Sequence, residues 1–224
     1  MLVTGIIYPS SITATSKTKF EATLFLEINA NQTNAKSELK QAIGLLLRPF
    51  SQESIAKEVV NRLNNEGPLA DQFERYFFDK GKIKTTSVVS YGIRPIVKFQ
   101  GADTLFKTWT HPHKDKLSDE TDGDLLSLYI GYCVTQINIF ISAIKANLPA
   151  ERWTTNKEVL GRMLTTTNVN GLVVCLRKLV ESNKVHSFDY YNKKLADVSK
   201  FNFSKYRSSQ YGSMGEELYK KYFE

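Results

Sequence analysis

Along most of the chain, apolar residues recur at helical spacing. Phe20, Leu24 and Ile28 fall at i, i+4 and i+8 behind a Thr18-x-x-Glu21 capping box, which predicts a helix with one buried face. The Asn-rich run from Asn29 to Asn34 stops it. A second helix, about Lys36 to Leu47, carries Leu39, Ile43 and Leu46 or Leu47 and ends at Pro49. Ser51 caps a third, bearing Ile55, Val59 and Leu63 and ending near Asn65-Glu66-Gly67. Pro68 suits the first turn of a short helix through Phe77. Gly81 marks a turn, Ile83 to Thr85 reads as a brief strand, and Thr86 or Ser87 caps a short helix that breaks at Gly92 and Pro95.

The second half is more apolar. A polar, irregular segment, residues 110–124, separates it from the first. From Leu125 to Leu148, Leu125, Tyr129, Tyr132, Gln136, Ile139 and Ala143 lie along one stripe. Ile130, Cys133, Ile137, Ile141 and Ile144 fill other faces, so this reads as a central helix buried nearly all round. Pro149 closes it. Thr155-x-x-Glu158 is another capping box, Val169 to Ser182 an amphipathic helix, and Ser187 caps Phe188 to Val198. A Ser213-x-x-Glu216 box opens a terminal helix. Only Leu2 to Tyr8, with Val3, Ile6 and Ile7 before Pro9, reads as a strand at the amino end. The expected class is mainly α, with a short amino-terminal strand and one or two minor strands.

Composition adds bounds. The chain has 224 residues, 42% hydrophobic and 24% charged, enough to bury a real core. No apolar run approaches the roughly 20 residues that span a bilayer. Met1 to Ser11 lacks the positive region of a signal peptide. The expectation is a cytoplasmic protein with no membrane partner. Cys133 and Cys175 sit inside apolar helical patterns, as reduced, buried thiols would.

A net charge of +7 favours an anionic partner such as DNA. Lys80, Lys82, Lys84, Arg94 and Lys98 form a stretch without an acid. On a strand, the three alternating lysines would share one face and meet successive phosphates, or else protect a sheet edge from pairing. Lys205 and Arg207 precede Ser208, Ser209, Gly212 and Ser213 at a helix start, where free N–H groups attract phosphate, and Tyr206 and Tyr211 can stack on bases. The alternative for this tail is a capped helix packed by its tyrosines. His111, His113 and Asp115 are of metal-ligating type, but no further His or Cys cluster completes a site, and a solvated loop is the simpler account. No phosphate-binding, dinucleotide-binding, nucleophile-elbow or zinc-protease motif occurs. No catalytic residue, metal or cofactor is assigned.

Four segments, in order, carry a resemblance: Phe25-Leu-Glu-Ile-Asn29 with Asn31-Gln32-Thr33 and the following Glu38 to Gln41; Ser87 to Lys98; Leu164 to Asn168; and Tyr206 to Leu218. Together they resemble DGQHR-domain proteins, the group that includes the DndB-type proteins associated with DNA modification. The resemblance implies that the chain is the helical carboxyl-terminal portion of an α+β protein of ParB/sulfiredoxin-like fold. The pentapeptide signature, which lies upstream in that group, does not occur in this sequence. On this view residues 1–109 are a remnant of the DGQHR-type domain with a helical extension, 110–124 a loop and 125–224 a helical subdomain. Glu27, Asn29 and Gln32 would be site-adjacent, although the Asn-rich stretch serves equally as a helix stop. The function implied is a DNA-associated accessory or regulatory protein of a DNA-modification or phage-defence system, acting by binding. The alternatives are a lobe of a split or truncated ParB-like nucleotide-dependent enzyme, partnered by an upstream half, or a helical scaffold bound to other proteins.

Overall fold

Thr13, rather than Thr18, starts the first helix of the chain. The computed structural model describes residues 6–30, 44, 47–75 and 79–224, with backbone alone for 26–30. In it α1 spans Ala14–Ala30, and the Thr13 hydroxyl accepts from the Ser16 N–H at 3.2 Å. Thr18 lies inside the helix, where its hydroxyl donates to the Ala14 carbonyl at 2.9 Å instead of capping. Ile6 to Tyr8 do not form a strand, because among the described residues no sheet edge is present to pair with them. Tyr8 packs edge-on against Phe20 of α1 instead, at 5.9 Å. The remainder of the predicted strand, most of the Lys36 to Leu47 helix and Gln32 lie outside the described residues.

Ser51 caps α2 (Gln52–Leu63) as the sequence predicts, its hydroxyl accepting from the Ser54 N–H. The helix predicted after Pro68 is absent from Pro68 to Arg75. Asn64 overrides it. Its buried amide donates to the Phe73 carbonyl at 3.3 Å and accepts from the Phe73 N–H at 3.0 Å, holding that residue extended. Phe73 then forms an isolated parallel bridge with Ile83, in place of the brief strand.

From Thr85 the chain is helical through Ile96, in three pieces: α3 (Thr85–Ser87), the π-helical segment π1 (Val88–Ile93) and α4 (Arg94–Ile96). Neither Gly92 nor Pro95 breaks it. The widened π turn, in which the Arg94 N–H reaches back to Val89, absorbs the proline that an α-helix interior would reject. A short α5 (Leu105–Thr108) and a 3₁₀ turn, Lys114–Asp119, follow. Asp122, whose carboxylate accepts from the Leu125 N–H at 2.8 Å, caps α6 (Gly123–Ala146).

α6 has the length and apolarity to cross a bilayer, with a mean hydropathy of 1.5, so the expectation that no run approaches that length does not hold. It packs here against α2, α7 (Thr166–Glu181) and α8 (Phe188–Lys194). It is amphipathic: Asp124, Ser127, Leu128, Thr135 and Lys145 face solvent. The helix buried all round is α7, whose nine residues from Asn168 to Leu176 are all buried. π1, α5, α6 and α9 (Tyr211–Phe223) surround it. One hydrophobic cluster runs from Ile55 to Phe223 and draws on residues from both sides of 110–124. The fold is mainly helical, and Cys133 and Cys175 are buried free thiols within it.

Two other predicted caps give way to competing contacts. Residues 153–164 form turns, because Arg152 binds the Gly161 and Ser199 carbonyls and the Arg152 carbonyl receives the Met163 N–H. α9 starts two residues before Ser213, after a 3₁₀ turn in which the Gln210 side chain accepts from the Arg207 N–H at 2.8 Å. Ser187 precedes α8 without a side-chain capping bond.

α7 and α9 approach at backbone distance. A Cβ placed on Gly215 would sit 2.5 Å from the Gly171 carbonyl oxygen and 2.6 Å from Val174. At Gly131 of α6, nothing lies within 4 Å of such a Cβ. Gly215→Ala is therefore expected to destabilise the fold by about 1–3 kcal/mol through overpacking. Gly131→Ala should stabilise it by about 0.5–1 kcal/mol through helix propensity. Urea unfolding of the two variants checks the opposite signs.

Candidate nucleic-acid interface

The basic residues of the sequence divide by what surrounds them. Lys80 and Lys84 are exposed, Lys84 at the extended position that opens α3. Lys82 is not equivalent to them. Its ammonium lies 2.8 Å from the Asp71 carboxylate and also donates to the Asp71 carbonyl. Asp71 sits in the left-handed region at φ 58°, and Lys82 holds its carboxyl below the ordinary range. The picture of three equivalent lysines on one strand face is thus replaced. Ile83 is a single buried bridge residue, and helix begins at Thr85.

Arg94 and Lys98 come together at a cleft of about 500 Å³ beside the start of α2, with Phe50, Phe99, Glu53 and Glu120. Two carboxylates thus face the two cations. Arg94 is exposed and Lys98 half-buried.

In the carboxyl-terminal segment, Lys205 is held by Glu217 of α9, with its ammonium 2.7 and 2.8 Å from the two carboxylate oxygens. The Tyr206 hydroxyl donates to the same carboxylate at 2.6 Å. These bonds raise the Lys205 pKa and lower that of Glu217. Tyr206 is raised by burial and then by Glu217, and its ring stacks on Phe201 at 6.0 Å. Lys205 and Tyr206 are therefore structural partners of α9. Arg207 is exposed at the turn before α9.

The structure joins the two segments through aromatic rings. Tyr91 of π1, 56% exposed, lies 6.2 Å from Tyr211, the first residue of α9. Arg94 follows Tyr91 by three residues and Arg207 precedes Tyr211 by four. Gly92, beside Tyr91, is pressed against the buried Asn170 of α7, whose side-chain oxygen would lie 2.6 Å from a Cβ there. Tyr91 escapes a reading based on charge and motif. Its sequence signals are a tyrosine among valines inside a basic stretch and its place within the Ser87 to Lys98 segment.

Glu27 and Asn29 lie in the last turns of α1, away from these segments in sequence. The His111 ring stacks on Trp109 at 5.0 Å, and its Nδ1 accepts from the His113 N–H at 3.3 Å. Among the described residues no group of three or more metal-ligating side chains forms. Cys133 is pushed up to about 12 by burial, and Cys175 is raised by burial as well. Neither carries thiolate at neutral pH. No family model matches the chain, and no curated protein or solved structure matches it either.

The Glu217 cluster has a defined pH window. A carboxyl whose folded pKa is depressed stabilises above its unfolded value and loses that contribution as pH falls through the folded one. An ammonium whose pKa is raised contributes below its unfolded value and loses it only as pH rises through the folded one. The Tm difference between the native chain and Glu217→Gln should therefore be present at neutral pH and vanish on the acid side, below Glu217's ordinary 4.5. Thermal unfolding of both proteins across the acid range measures it.

Proposed function

We propose that this chain is a DNA-associated accessory protein that acts by binding. One observation carries the reading: two basic segments more than a hundred residues apart in sequence meet where the exposed Tyr91 ring lies beside the half-buried Tyr211. Arginine supplies backbone-directed charge, and the tyrosine faces offer stacking platforms for unpaired bases. Lys80, Lys84, Arg94 and Arg207 are the cations assigned to phosphate. Lys82 and Lys205 are already matched by carboxylates, and Lys98 is half-buried in the cleft with Glu53 and Glu120 that Arg94 also lines, whereas Arg94 is exposed. The resemblance to DGQHR-domain proteins extends the proposal to a DNA-modification or phage-defence system and to ParB/sulfiredoxin-like α+β relatives. Three of the four segments that carry it pack together: Ser87 to Lys98 and the α9 segment both lie against α7, which Leu164 to Asn168 opens.

A second reading, a helical scaffold for a protein partner, is favoured by the amino-terminal segment. Ile7 is 96% exposed, and Ile6, Phe20 and Phe25 are exposed with it.

Fluorescence anisotropy with a labelled single-stranded oligonucleotide and its duplex tests the DNA reading. Four phosphate contacts predict a log–log salt slope of roughly −3 on the single strand. Arg207→Ala should flatten it by about 0.7. Lys82→Ala should leave it unchanged. Tyr91→Ala with Tyr211→Ala should weaken single-strand binding by about tenfold or more at an unaltered slope. Salt-insensitive binding, or equal losses for Lys82→Ala and Arg207→Ala, would refute the assignment.

A further inference from the structure

A second cleft, of about 490 Å³, opens between α5, α6 and the loop after α7, and has no part in the proposed DNA face. Its wall includes Lys107, Thr110, Gln136, Asn183 and His186, and no carboxylate. The clefts beside α2, at the start of α7 and along α9 all contain glutamate. Of the acids nearest in sequence, Asp103 accepts from Arg177 Nε at 3.0 Å and Glu181 from Lys178 at 3.2 Å, while Asp189, three residues after His186, is exposed and does not line the cleft.

Most of the polar side chains here make no hydrogen bond that holds the fold. Thr108, also in the wall, is saturated, donating to the Leu105 carbonyl and accepting from the Tyr132 hydroxyl at 2.9 Å. Lys107, Thr110, Gln136, Asn183 and His186 make no side-chain hydrogen bond to protein among the described residues. Two of them stand where another residue type would serve the fold better. Gln136 interrupts the apolar stripe of α6, where leucine would bury more surface. Asn183 occupies the left-handed position, φ 56°, that closes α7. There the Asn183 N–H bonds to Val180 and the Lys184 N–H to Leu179. Glycine is the usual residue at that position, so asparagine adds an amide at the cleft without improving the turn.

We propose that this cleft binds a small phosphate monoester. An ammonium, two amides, a hydroxyl and an imidazole supply donors to the phosphate oxygens. The half-buried Tyr132 and the His186 ring, which lies 4.1 Å from Tyr190, flank the cleft with aromatic surface. The volume is in the range of small-ligand sites and suits a mononucleotide.

Isothermal titration and thermal shift on the full chain test it, with inorganic phosphate and a deoxynucleoside monophosphate as probes and sodium chloride of equal ionic strength as control. Both probes should raise Tm beyond the chloride control, the nucleotide more than the free ion. Equal shifts for the two would show that only the phosphate group is recognised. Lys107→Ala should weaken binding about tenfold, the scale of one charge-assisted contact. Gln136→Leu should reduce the response while keeping or raising the ligand-free Tm, which separates lost binding from lost folding. No shift beyond chloride, or an undiminished shift in the Lys107→Ala/His186→Ala double variant, would overturn the site. Since none of these residues lies on the Tyr91–Tyr211 face, failure here leaves the DNA reading intact, and failure of DNA binding leaves this site intact.

Discussion

The close approach of α7 and α9 at Gly171 and Gly215 sets the distance on which the rest of the fold is built. Without Cβ atoms at the crossing, the two backbones come within van der Waals contact, and Val174 and Met214 fill the space on either side. α7 can then be buried on every face, from Asn168 to Leu176. Such a helix has no solvent side, so each neighbour must bring an apolar stripe to it. α6 brings Ile137, Phe140, Ile141 and Ile144, and α9 brings Met214, Leu218 and Phe223. Burial also raises the pKa of Cys175, Cys133 and Tyr191, which keeps these groups protonated at neutral pH.

Which elements are legible in the sequence follows from how local their causes are. α2, α6 and α7 are legible because helical periodicity acts within a few residues, with Ser51 marking the start of α2, while the caps Asp122 and Thr165 start α6 and α7 two and three residues ahead of the apolar pattern. The three Ser/Thr-x-x-Glu boxes mislead, since the same four-residue pattern fits many places and a competing contact, local or distant, wins each time. Thr13 captures the start of α1, the Gln210 side chain sets the turn before α9, and Arg152 pulls residues 153–164 into turns. Pro68 fails as a helix start because of Asn64, which mimics a strand partner for Phe73 and acts across nine residues. The parity between α6 and α7 was also illegible. Both are apolar, and only the packing of α9 through two glycines decides which one is enclosed.

The charge pattern tells less than the helices do. A run of lysines in a sequence counts formal charge, whereas a ligand meets charge that remains uncompensated at short range. Lys82 and Lys205 lose that availability to Asp71 and Glu217, eleven and twelve residues away, across turns whose geometry no window of sequence specifies. Arg207 keeps it because the Gln210 side chain binds its backbone N–H and leaves the guanidinium in solvent.

The π segment ties this surface to the core. A π turn has poorer hydrogen-bond geometry than an α turn and persists only where packing holds it. Here Pro95 withholds a donor on one side, and on the other Gly92 admits the Asn170 side chain of the enclosed helix. Asn170 keeps its side-chain oxygen buried without a hydrogen bond, a cost of about 1–3 kcal/mol. The extra residue in the turn shifts Tyr91 relative to an α-helical register, and the ring stands exposed beside Tyr211. α7 contacts both π1 and α9, so the two rings are positioned from one buried element rather than by the mobile geometry of a loop. An exposed ring held in this way against a half-buried one is pre-organised, and a base that stacks there need not order the surface first.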